Sequence, residues 1–118
     1  MKKLLPIIMF VLLAFAGCQR GPAMFEKTDN PRDFVAHAEQ FVKQVDKQSK
    51  HYDAQDWQAA VEQFVVMAKN FVECKTRMTN EEVMRYDYAR LQFMSAIDKN
   101  GNEELAKQVK DEYGKIVQ

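Results

Sequence analysis

Residues 53–82 read DAQDWQAAVEQFVVMAKNFVECKTRMTNEE, and this stretch decides the fold. Its apolar positions are Trp57, Ala60, Val61, Phe64, Val65, Met67, Ala68, Phe71, Val72, Cys74 and Met78. At 100° per residue they cover about half of a helical circumference, the width expected of a central helix that touches two neighbours. Trp57 and Phe64 are the large core candidates. Asp53 is placed to cap this helix, and Asp56 falls in its first turn, where an acid meets the positive end of the helix dipole. Thr79-Asn80-Glu81-Glu82 is a capping-box sequence, Thr79 accepting from the backbone three residues on and Glu82 reaching back. It opens a third helix. Turns this short place successive helices antiparallel.

The same reading extends in both directions. Asn30-Pro31 opens a first helix, with Asn as the cap and Pro at the first helical position. Phe34, Ala38, Phe41, Val45 and Tyr52, with Val35 and Val42 beside them, fill an arc of about 120°. Glu39/Lys43 and Asp46/Lys50 are acid-to-base pairs four residues apart on the wet side. The third helix runs to about Asp98. Gly101 suits a left-handed C-terminal position, and Asn102 can cap a fourth helix over roughly 103–117, with Leu105, Val109, Tyr113 and Ile116 on one side. No stretch alternates as a strand would. The expected fold is all-α, a small antiparallel bundle of three to four helices spanning residues 31–118.

The third helix carries an anomaly. On a helical wheel Val83, Met84, Leu91 and Met94 form one apolar stripe, and Tyr86, Phe93 and Ile97 form another. Asp87 and Arg90 fall between them and can pair. If both stripes are buried, an ion pair lies in or beside the core. Tyr86, Asp87 and Arg90 also make the one polar spot with ligand- or partner-binding character. Met67, Met78, Met84 and Met94 offer a soft surface, read first as core filling and second as an adaptable groove.

Residues 1–18 read MKKLLPIIMFVLLAFAGC. Lys2 and Lys3 make a positive start, Leu4 to Phe15 an apolar run short for a bilayer span, and small residues close it. Ala16-Gly17-Cys18 resembles the lipobox of bacterial lipoproteins, with Phe15 where that family usually has Leu. The resemblance implies removal of residues 1–17, a lipid on the Cys18 sulfur and a multi-chain membrane anchor. Residues 18–30 then read as the lipidated cysteine and a flexible tether. The twelve residues from 19 to 30, fully extended, reach roughly 40 Å. With Gln19 rather than the Asp of lipoproteins retained in an inner membrane, the expected location is the periplasmic face of an outer membrane. The Asp53–Trp57 turn and the Thr79–Glu82 helix start also resemble small helical lipoproteins of Gram-negative gut bacteria, classed only as a domain of unknown function.

Composition narrows the chemistry. Loss of Lys2 and Lys3 leaves 15 basic residues against 17 acidic ones, which argues against a nucleic-acid partner. With Cys18 lipidated, Cys74 stands alone and no internal disulfide forms. Cys74 lies on the apolar arc and reads as an inert small hydrophobe rather than a redox thiol. Asp33 and His37 share a helix face, but no third metal ligand follows at a recognisable spacing, and they read as a solvated pair. No phosphate loop or nucleophile elbow is present. The expectation is a non-enzymatic cell-envelope lipoprotein, without cofactor or metal, whose bundle binds a protein partner or another envelope component. The alternative is a small-ligand module near Asp87 and Arg90, between the second and third helices. An exposed apolar patch favours the first reading and an enclosed cavity with convergent polar groups the second.

Overall fold

A computed structural model describes residues 23–118. The signal-like segment, Cys18 and residues 19–22 lie outside the described residues. The described chain is all-helical, with four helices: α1 (Pro31–Gln48), α2 (Ala54–Cys74), α3 (Asn80–Asn100) and α4 (Glu103–Val117). Single 3-10 turns, Ser49–His51 and Lys75–Arg77, follow α1 and α2. No described helix is long and apolar enough to cross a membrane.

The helix starts are where local chemistry puts them. Asn30 accepts from the backbone N–H groups of Arg32 and Asp33, with Pro31 inside the first turn. Asp53 and Asp56 form a capping box at α2, and Thr79 and Glu82 form one at α3. Asn102 accepts from Leu105 N–H at α4. Each cap satisfies a donor that the helix itself leaves orphaned.

The end of α3 corrects an expectation. Gly101 sits at φ −96°, ψ −147°, not in the left-handed region. Close approach explains the glycine instead. A Cβ there would lie 2.9 Å from the Ile97 carbonyl oxygen and 3.3 Å from Ile97 Cγ2.

Aromatic rings knit the core. Phe93 of α3 stacks on Phe64 of α2 with centroids 4.3 Å apart, and also meets Phe41 of α1 and Trp57. Phe71 stacks on Tyr86 at 4.2 Å, and Phe34 packs on both. Such pairs add about 0.5–1.5 kcal/mol each beyond their burial. α1 packs most extensively on α3, and α2 on α4. One end of the bundle is stapled by polar groups. Trp57 Nε1–H donates to the Asn100 carbonyl at 3.3 Å, and Asn100 Nδ2 donates to the buried Ser49 Oγ at 2.9 Å.

Residues 23–30 are not a free tether. Residues 23–29 form an extended strap along α1 and α2, with Ala23 and Phe25 buried in the core. The physical reason is a set of partners that the helices offer to an extended backbone. Phe25 N–H donates to Gln63 Oε1 at 2.9 Å. The Asn70 side-chain amide pairs with Thr28 at both polar atoms, accepting from its N–H at 3.0 Å and donating to its carbonyl at 2.7 Å. Arg77 donates to the Asp29 carbonyl at 2.8 Å. Phe25 meets Phe34 and Phe41 edge-on.

Candidate functional site

Only one of the two stripes on α3 belongs to the core. Tyr86, Phe93 and Ile97 are buried, joined by Ala89 and Ala96. Met84 and Leu91 are 70% and 51% exposed, and Val83 and Met94 are half-buried. Tyr88 is 66% exposed and stands with Met84 and Leu91. These three recur at i, i+4 and i+7, so they make one outward apolar line. Tyr88 was missed because it belongs to neither stripe by hydrophobicity alone. Its spacing from Met84 and Leu91 is the signal that places it.

Tyr86, Asp87 and Arg90 come together, but not as an open recognition site. Tyr86 is 1% exposed, and its hydroxyl lies 3.1 Å from the Tyr113 hydroxyl of α4. Burial pushes the Tyr86 hydroxyl far above its ordinary pKa, and the neighbouring Tyr113 adds to the rise. Arg90 Nη2 lies 2.6 Å from Asp87 Oδ1, and the guanidinium covers the Tyr113 ring at 5.1 Å. Burial opposes the Arg90 charge, while the Asp87 hydrogen bond favours it, and the net pKa is raised. The side chains of Arg90 and Asp87 are 23% and 55% exposed, so the pair lies at the rim of the core, not in it. These four residues form a chain of polar contacts from core to surface that fastens α4 to α3. Arg90 Nε and Nη2 both donate to Asp87 Oδ1, and the two tyrosine hydroxyls pair with each other.

The remaining candidates are also engaged. His37 Nδ1 lies 2.8 Å from the Glu26 carbonyl. A carbonyl only accepts, so that nitrogen carries the proton, and His37 holds the strap instead of pairing with Asp33 in solvent. Glu39 is held by Arg85 of α3 through two contacts, at 3.0 and 2.5 Å, in place of the expected Lys43 pair. Cys74 is buried against the Asn70 amide and the Thr28 carbonyl, and burial raises its thiol pKa, which lowers the reactive thiolate fraction. Among the described residues no group of three or more His, Cys, Asp or Glu side chains is placed to hold a metal ion. Met67 fills core, Met78 and Met94 are half-buried, and Met84 is exposed, so the methionines do not share one groove.

Two open clefts lie among the described residues. One, of about 400 Å³, runs between α2 and α4 beside Trp57, Val61, Leu105 and Val109. The other, of about 370 Å³, lies beside the strap at Met24, Phe25, His37 and Gln40. Neither is lined by Asp87 or Arg90. Comparison with known proteins yields no significant match, whether to a family model, a curated protein or a solved structure.

Proposed function

We propose that this chain is a non-enzymatic lipoprotein of the bacterial cell envelope, anchored through Cys18, whose helical bundle docks on a protein partner. The observation that carries the docking is the outward line of Met84, Tyr88 and Leu91 on α3. Three large apolar side chains in register on one helix present a ridge suited to an apolar groove on a partner. Tyr adds a hydroxyl that tolerates both water and an interface. The anchor rests on the Lys2/Lys3 start, the apolar run and Ala16-Gly17-Cys18. Gln19 favours the periplasmic face of the outer membrane as its location. The small-ligand alternative is the weaker reading, because Asp87 and Arg90 pair with each other and neither lines a described cleft.

Photocrosslinking in intact cells tests the docking. The full chain carries a photoreactive residue at Tyr88 or, as a control, at the exposed Lys107 of α4. A discrete adduct is expected from position 88 and not from 107. Leu91→Glu should abolish that adduct with the thermal melt unchanged, since surface substitutions usually stay within about 0.5 kcal/mol. An adduct that survives Leu91→Glu, or none at position 88, overturns the reading.

A further inference from the structure

The strap has a direction, and its register can be read from its hydrogen bonds. Phe25 pairs with Gln63 and Thr28 with Asn70. Three extended residues rise about 10 Å, and seven helical residues rise about 10.5 Å. The strap therefore runs parallel to α2, step for step. Two residues earlier, Ala23 falls near the start of α2. There Tyr52 packs on Trp57, and its hydroxyl donates to Gln48 Oε1 at 3.1 Å. The chain thus joins the bundle at the end formed by Ser49–His51, Tyr52 and the α3–α4 turn.

This end is close to Cys18 by covalent geometry alone. Five residue steps separate Cys18 from Ala23, at most about 17 Å of chain. That is less than half of the roughly 40 Å available if residues 19–30 were free. Resting on the lipid-anchored reading above, we infer that the strap orients the bundle on its bilayer. The Tyr52 end faces the lipid headgroups, and α3 starts at the far end. Helical rise then places Leu91 about 14 Å and Met84 about 24 Å beyond the membrane-facing end of α3. The apolar line is held clear of the lipid and presented to a partner. Exposed groups at the near end carry both signs with acids in excess, Lys47, Lys50 and Lys99 against Asp46, Asp53, Asp98, Glu103 and Glu104. An acidic excess cannot draw this end to an anionic bilayer, so chain length rather than charge sets the approach, and added salt should not weaken it.

Depth-dependent quenching tests this on the full, lipidated chain. Vesicles of phosphatidylethanolamine and phosphatidylglycerol carry a nitroxide on a fraction of headgroups. A fluorophore is attached at Lys50→Cys or at Glu81→Cys, both exposed positions at opposite ends. Quenching is expected to be severalfold stronger at position 50 and not to weaken from low to high salt. Ten Gly/Ser residues inserted between Pro22 and Ala23 should bring position 50 down to the level of position 81. A chain that fails to float with the vesicles overturns the anchor and this inference together. A chain that floats but quenches alike at both positions, or more at 81, overturns the orientation and leaves the anchor standing. An insertion variant that keeps the contrast overturns chain length as its cause.

Discussion

Asn70 does two jobs that an apolar residue cannot. It is fully buried on α2, yet its amide supplies one donor and one acceptor to Thr28, as a neighbouring strand would. Asn70→Leu keeps a similar volume but leaves the Thr28 N–H and carbonyl without these partners. Orphaned backbone groups cost about 1–3 kcal/mol each when buried, and Thr28 is half-exposed, so a total loss of about 1–3 kcal/mol is expected in urea melts. A loss under about 0.5 kcal/mol would mean that water replaces the amide. Nothing in the local sequence identifies this role. Asn70 interrupts an apolar arc and reads as a polar residue near its edge. Its partner lies 42 residues away.

At the scale of the element, the caps and the strap differ in how far their causes reach. Asn30, Asp53, Thr79 and Asn102 each bond a backbone N–H within three residues, so four local sequence patterns announce four helix starts. The strap has no such signature. Ala23 and Phe25 alternate with exposed Met24 and Glu26, but two inward residues are too few to define a period. The Asp87–Arg90 pair lies between these cases. Its spacing predicts contact, and contact occurs, but the packing of α3 decides that it sits at a rim. Asp87→Ala should therefore cost about 0–1 kcal/mol, as exposed pairs do. Arg90→Ala should cost somewhat more, because the guanidinium also covers the Tyr113 ring, an interaction of about 0.5–1 kcal/mol. Chemical denaturation measures both. A loss of about 3–5 kcal/mol from Asp87→Ala, typical of a broken buried pair, would contradict the rim placement.

Three tyrosines, together with the buried Cys74 thiol, make the fold less stable as the solution turns alkaline. Burial is the main cause that raises the pKa of Tyr52, Tyr86 and Tyr113 above the ordinary value of 10.0. Unfolded tyrosines release protons near that value while the folded ones retain them. The unfolded state then binds fewer protons, so stability falls as pH rises. The contribution is present in full below pH 10.0 and is lost as the pH climbs from there towards the folded values. Tyr86→Phe removes the most buried of these hydroxyls, and should flatten the decline in melting temperature between about pH 9 and 11. An unchanged slope would show that Tyr86 does not take part.

The amino-acid order alone determined that this chain forms helices, where each begins and which face of α1 and α2 is apolar. Those outcomes follow from periodicity and from hydrogen bonds that span three or four residues. Three matters were decided only by tertiary structure: the packing of Ala23 and Phe25 into the core, the choice of the Tyr86/Phe93/Ile97 stripe over Met84/Leu91, and the rim position of Asp87 and Arg90. The physical reason is common to all three. A helix wheel counts apolar residues, but burial depends on which neighbour arrives to cover them. On α3 the neighbours, Phe34, Phe41, Phe64 and Phe71, arrive from two other helices, beyond the reach of a pattern read along α3 alone.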